Sequence, residues 1–211
     1  MHIDDRDSSP LIEAKNMTIQ RPEILDRVER LGFATFSGSD YDLNIIGERN
    51  PRGTPDKFDD WINVCYQVRG IWNHEMFKCT TDPGLYWMNN PGRVEGTAIL
   101  KHDQQMRGAY RLAMHRGKYQ ALCQDRPVTI WRDRNMDNVH DYGSNEERGF
   151  FGINIHRASL TVTNAHVGRY SAGCTVIQKS PDFERLLWLC RQQIAHHPTW
   201  TNFTYTLIMG L

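Results

Sequence analysis

The chain has 211 residues, enough for one large domain or for a catalytic domain with a small appendage, and enough to bury a core without disulfide staples. Its 25 Lys and Arg balance 25 Asp and Glu, so no global field draws it to an anionic membrane, and nucleic acid is set aside as a partner. Five cysteines, Cys65, Cys79, Cys123, Cys174 and Cys190, form neither a CxxC pair nor a zinc-ribbon spacing, which predicts free thiols in a reducing compartment.

Residues 1 to 20 are charged and weakly patterned, and a mobile or loosely docked arm is expected there. The start carries no apolar run suited to export, and no later stretch reaches the length of a membrane span. The expectation is a chain made in the cytoplasm, with no membrane insertion. From Pro22 to Gly32, Ile24, Leu25, Val28 and Leu31 recur at helical spacing, with Pro22 suited to the first turn and Gly32 to the stop. This short helix belongs to an N-terminal appendage, residues 1 to 40, ahead of a catalytic domain over residues 41 to 211.

From Tyr41 to about Val176 the pattern changes to short runs rich in β-branched and aromatic residues, broken by Gly, Pro, Asn and Asp: YDLNIIGERN, DWINVCYQV, GTAILK, KYQALCQ, PVTIWRD and FFGINIH. These predict a mainly β fold, an antiparallel sheet or barrel, whose core takes most of the aromatic residues. Asp82, Pro83 and Gly84 mark a turn. Lys101, His102, Arg107, Arg111, His115, Arg116 and Lys118, interleaved with Tyr110 and Tyr119, read as solvated strand edges, with a peptide- or glycan-recognising face as the alternative. Asp133, Asn135, Asp137 and Asp141 space oxygen atoms as calcium loops do. The segment lacks the glycine and the closing Glu of such loops, so a polar turn is the default. The last segment returns to helix: Ser180 as cap, Pro181 in the first turn, Asp182 at the positive end of the dipole, and Phe183, Leu186, Leu187 and Cys190 on one face.

The chemistry concentrates in Gly152-Ile153-Asn154-Ile155-His156-Arg157 and in Gly168-Arg169-Tyr170-Ser171-Ala172-Gly173-Cys174-Thr175-Val176-Ile177. An apolar strand carries His156 to its end and a small-residue turn carries Cys174. A thiol becomes a strong nucleophile once a neighbouring imidazole takes its proton. With little side-chain bulk beside the sulfur, the amides of Gly173 and Cys174 are candidates for an oxyanion hole. Zinc held by Cys174, His156 and His166 is a distant alternative, for the spacing names no fourth ligand. No cofactor motif appears.

These residues resemble the L,D-transpeptidase catalytic domain, the YkuD domain, whose signature is a histidine, a loop, and then Ser/Thr-His-Gly-Cys. His156 matches the first histidine, and Ser171, Gly173 and Cys174 match three of the four closing positions. The resemblance covers residues 150 to 190 and extends diffusely over 80 to 150, where TTDPGLYWM is similar to the family's substrate-side strand. It implies a β-sandwich or barrel-like fold, Cys174 as nucleophile, His156 as base, and Arg157 orienting the imidazole by its carbonyl or side chain. Ser171, Arg169, Tyr170 and His166 are candidate substrate contacts.

Ala172 stands where the family has its second histidine, and Val176 where it has Arg or Asn. Features tied to the usual donor peptide are thus missing, and a phage lysin released to the wall by a separate route is the nearer comparison. The expected activity is that of a cysteine peptidase on the peptidoglycan stem or crosslink, proceeding through an acyl-enzyme. The alternatives are an L,D-transpeptidase joining stems and a non-catalytic phage or wall-binding module. The sequence sets no oligomeric state.

Overall fold

A computed structural model describes residues 20–211, so all but the last residue of the arm expected at the N-terminus lies outside the described residues. Alternating burial along the strands builds two apolar layers at once. In β1 (Asn44–Arg49), Ile45 joins the main core while its neighbour Ile46 faces the opposite side; in β2 (Asp60–Val68), Val64 and Cys65 divide the same way. The second layer is covered by α1 (Glu23–Arg30), which sets Ile24, Leu25 and Val28 against Ile46, Cys65 and Ile208. Burying each such aliphatic side chain contributes about 1.5–3 kcal/mol. The helix predicted from Pro22 is therefore docked on the sheet, and Leu31, expected on its apolar face, is exposed.

β2 turns through Arg69 and Gly70, both at positive φ, into β3 (Ile71–Thr80). After α2 (Leu85–Asn89) and β4 (Thr97–Leu100) come β5 (Gln104–His115), β6 (Tyr119–Gln124), β7 (Val128–Asp133) and β8 (Glu147–Gly149). The remaining elements are β9 (Ile155–Arg157), β10 (Thr175–Ile177), α3 (Ser180–His196) and β11 (Asn202–Met209). Eight strands close a barrel in the order β1-β11-β5-β6-β9-β10-β3-β2, and β4-β7-β8 form a separate three-stranded sheet. Two barrel pairings are parallel, β1 with β11 and β9 with β10; the others are antiparallel.

The mainly β class agrees with the expectation, and four details differ from it. The helix expected to end the chain is followed by β11, whose Phe203, Tyr205 and Leu207 point into the core and whose edge closes the barrel. The TTDPGLYWM segment is no strand beyond Thr80; it turns and forms α2. β5 is an interior strand hydrogen-bonded on both sides, with Met106, Ala109 and Tyr110 buried and Arg107 and Arg111 outward, so these two arginines mark an outer face of the barrel while His115 at its end is buried. Ser180 makes no side-chain cap; helix α3 begins at it, with Pro181 in the first turn. Phe183, Leu186, Leu187 and Cys190 pack into the main core as the spacing predicts, and α3 runs beside β9 and β10.

Candidate active site

The two short parallel strands β9 and β10 carry the predicted nucleophile and base. Val176 pairs with His156 and Thr175 with Ile155, so Cys174 lies at the level of Asn154 at the mouth of the pair. The sulfur sits 3.4 Å from the Asn154 amide and 3.4 Å from the Gly152 carbonyl, and its side chain is partly buried against Phe58, Ala158, Val167 and Val176. These partners of the sulfur are main-chain groups; among the described residues no hydrogen bond joins it to the His156 ring.

Gly173 is demanded by its surroundings twice over. Its φ of +116° is unfavourable for L side chains, and a Cβ would lie 2.4 Å from the Ala98 carbonyl oxygen. The turn is locked by Ser171, whose hydroxyl donates to the Cys174 carbonyl at 2.7 Å and accepts from the Gly173 amide at 3.2 Å. Two expectations change as a result. Ser171 is fully buried and shapes the turn instead of meeting substrate, and the Gly173 amide is already engaged, which leaves the Cys174 amide as the candidate oxyanion donor from this turn.

His156 is buried as the middle residue of the three-residue β9. Its Nδ1 lies 2.8 Å from the carbonyl oxygen of its own neighbour, Arg157. A carbonyl can only accept, so the proton is on Nδ1 and Nε2 is left as a proton acceptor. The Tyr119 hydroxyl lies 3.4 Å from both Nδ1 and the Arg157 carbonyl, and the Arg157 guanidinium covers the Tyr119 ring at 4.2 Å. Of the two orienting groups considered for Arg157, the carbonyl is the one in contact with the imidazole.

Burial sets the protonation of both groups. The Cys174 thiol is pushed up by desolvation, against the pull of the Asn154 amide and Arg116. His156 is pushed down to about 3 by desolvation and then by His115, against the Arg157 carbonyl. The resting state is a neutral thiol beside a neutral imidazole, not the low-pKa thiolate that the motif suggests. Burial raises the other four thiols as well, Cys65 to about 12.

Beside the turn opens a cleft of about 200 Å³, lined by Trp87, Arg93, Ala98, Arg132, Phe151 and Ala172 among others. Arg132 is committed to Glu147 and to the Gly96 carbonyl. Arg169 lies over the Tyr86 ring at 3.9 Å, and its carbonyl accepts from the Trp87 indole at 3.0 Å, so it braces the α2 wall of the cleft. Tyr170 meets Asn164. His166 is turned to Asp56 at 3.3 Å on an exposed loop, away from the zinc grouping that its spacing allowed. Among the described residues no group of three or more His, Cys, Asp or Glu is arranged to hold a metal. In the Asp133 to Asp141 segment, Asn135 and Asp137 accept from main-chain amides two residues on, as Asx turns do.

The sequence reading did not assign His115 and Asn154 to the site. His115 ends β5, 41 residues before His156, where an outer-face reading of the basic stretch hides it. Asn154's place two residues before the histidine, which sets both on one face of an extended segment, was the one available signal; the burial of His115 shows only in the structure. Comparisons with family models, with curated proteins and with solved structures find no match for the chain.

Proposed function

We propose that the chain is a cysteine peptidase acting on peptide bonds of the peptidoglycan stem or crosslink. The observation that carries this reading is the pairing of a glycine-forced Cys174 turn with a neighbouring-strand imidazole whose Nδ1–H is fixed, leaving Nε2 as the acceptor. The open cleft beside the turn, with Trp87 and Phe151 in its walls, and the YkuD-like signature support a peptide substrate in it.

In this mechanism the thiol turns from the Gly152 carbonyl toward Nε2 when substrate fills the cleft; catalytic hydrogen bonds of this kind commonly tighten only in the complex. The S–H bond breaks, its proton passes to Nε2, and the sulfur bonds to the carbonyl carbon as the carbonyl π electrons move to oxygen. The Cys174 amide faces that oxygen. Collapse expels the amine, which takes the proton from His156. Water, deprotonated by the same nitrogen, then attacks the thioester carbon; the C–S bond breaks, the acid leaves, and the departing sulfur takes the proton back from Nε2. Because both partners rest neutral, proton transfer accompanies attack instead of preceding it.

Muropeptides of defined structure, digested and read by mass spectrometry, test the proposal. Shortened stems are expected, with turnover falling about a thousand-fold or more in Cys174→Ala while the fold persists by circular dichroism. Joined stems would move the reading to an L,D-transpeptidase. The raised thiol and the depressed imidazole favour a second reading, a wall-binding module with no turnover. Wall binding that is indifferent to Cys174→Ala, without any change in the muropeptides, would establish that one instead.

A further inference from the structure

The β5–β6 hairpin brings a second imidazole against the first. The rings of His115 and His156 stack with centroids 4.3 Å apart and planes 27° apart, and both residues are buried. A chain of hydrogen bonds fixes the protonation of the second ring. The Gln124 amide donates to Asn154 Oδ1 at 2.9 Å, so that oxygen is identified and the other arm of the same amide is the NH₂ group. This NH₂ lies 3.0 Å from His115 Nδ1, which must therefore accept, leaving the His115 proton on Nε2. Two neutral rings with opposite tautomers face each other, one held by a carbonyl and the other by a carboxamide.

We propose that His115 is a positioning residue for His156: locked in one tautomer by Asn154, it lies on the face of the His156 ring and holds it where Nδ1 meets the Arg157 carbonyl and Nε2 stays open. The reading of Cys174 and His156 as nucleophile and base underlies the catalytic consequence, but the geometry stands without it. Charge around the stack explains why neutrality is required. His156 faces His115, Arg116 and Tyr119 from the hairpin and Arg157 on its own strand, and Val176 of β10 pairs with it. His115 has Arg116 and Lys118 beside it in the hairpin turn. Burial and these cations lower both rings, and a second positive charge at this spacing would repel the first. A neutral aromatic face, by contrast, tolerates the imidazolium that His156 becomes during turnover.

Two substitutions in the full chain separate the stack from the hydrogen bond. His115→Phe keeps an aromatic face and gives up the acceptor; His115→Gln keeps an acceptor for Asn154 and gives up the face. Long-range ¹H–¹⁵N spectra of the histidine rings report the tautomer and titration of His156 directly. In His115→Phe the Nδ1–H form should persist, with a titration that rises less than in the Gln variant because the ring stays covered. In His115→Gln the Nε2–H form should appear, the titration should move up by about one pH unit or more, and turnover of muropeptide should fall about ten-fold. Unchanged His156 signals in both variants would overturn the proposal, and so would equal loss of the Nδ1–H form in both, since stacking would then not be what holds the ring. A wild-type chain that turns over no muropeptide would remove the proposed function while leaving the tautomer result to decide this inference.

Discussion

Two buried polar clusters share one barrel and treat charge in opposite ways. Around Arg49, at the end of β1, the guanidinium is fully buried. It donates to the Thr81 hydroxyl, the Thr81 carbonyl and the Leu100 carbonyl, each at 2.9 Å, and is ion-paired with Asp82 at 3.1 Å. Asp60 beside it accepts from the Asn50 amide, the Thr81 amide and the Thr81 hydroxyl. Burial and the charge of Asp82 still raise Asp60 to about 7. Around Cys174, among the described residues, no counter-charge is buried, and desolvation drives thiol and imidazole toward their neutral forms. The first cluster ties together the ends of β1 and β3 and the C-terminal end of β4. The second is held by main-chain hydrogen bonds and a ring stack, so its reactive groups can be altered without exposing a buried charge. Structure depends on the first and, in the proposed function, reactivity on the second.

Removing Arg49 is the strongest way to test that division. Arg49→Met strands the buried Asp60 and the partly buried Asp82 and unpairs two buried carbonyls, so a loss of about 3–5 kcal/mol is expected, seen as a fall of roughly 10 °C in Tm. Cys174→Ala and His156→Gln should each stay within about 1 kcal/mol of the unaltered protein in the same melts. A Cys174→Ala melt as damaged as that of Arg49→Met would erase the contrast. Gly173→Ala comes next, because it places a methyl against the Ala98 carbonyl and forces an unfavourable φ. A cost of about 2–4 kcal/mol is expected by denaturant unfolding. Unlike the loss at Arg49, it should be accompanied by loss of turnover, since the distorted turn carries the sulfur.

The same contrast marks what could be read from sequence. Cys174, His156 and the small residues between Ser171 and Gly173 announce themselves because reactivity needs particular residue types a fixed distance apart. The Nδ1 lock uses a main-chain carbonyl, which leaves no trace in residue identity, and His115 arrives through a hairpin whose pairing no local pattern encodes. Ser171 misled because a hydroxyl beside a nucleophile suits a substrate contact and a turn lock equally well; only its burial separates them. β1, β2, β4, β6, β7 and β9 were legible from their β-branched and aromatic runs, and α3 and the apolar face of α1 from their spacing, whereas the long β3 and β5 were not singled out. β11 was not, although NFTYTLIM alternates as a strand should, because closure by a parallel pairing with β1 depends on residues about 160 positions apart in the chain.

Stability against pH sharpens the comparison further, for the two clusters pull in opposite directions. Asp60 keeps its proton in the folded chain up to about 7, whereas an unfolded carboxyl releases it near 4; its contribution is present at low pH and is lost as pH rises through that window. His156 stays neutral in the folded chain down to about 3, whereas an unfolded imidazole takes up a proton near 6.5. Its contribution is present above that value and is lost as pH falls toward 3. Asp60→Asn should therefore leave a stability that rises more steeply with pH between about 4 and 7, and His156→Gln one that falls across the same range. Urea midpoints measured at several pH values read both. Identical profiles for the two variants would mean that the clusters do not titrate independently.

The smallest effect should come from the cleft. Arg132 is neutralised by Glu147, but among the described residues Arg93 forms no ion pair and stands exposed at the cleft lining. A peptide stem that carries a carboxylate would meet Arg93 as its free cation. Exposed charge pairs are worth about 0.2–1 kcal/mol, so Arg93→Ala should raise KM about two- to five-fold and leave kcat unchanged. Screening makes the prediction specific: the KM difference should shrink as salt shortens the range of the interaction, and it should vanish for an amidated stem of the same length. A fall in kcat with unchanged KM would instead mean that Arg93 supports the reacting groups, and the reactive cluster would then depend on a charge after all.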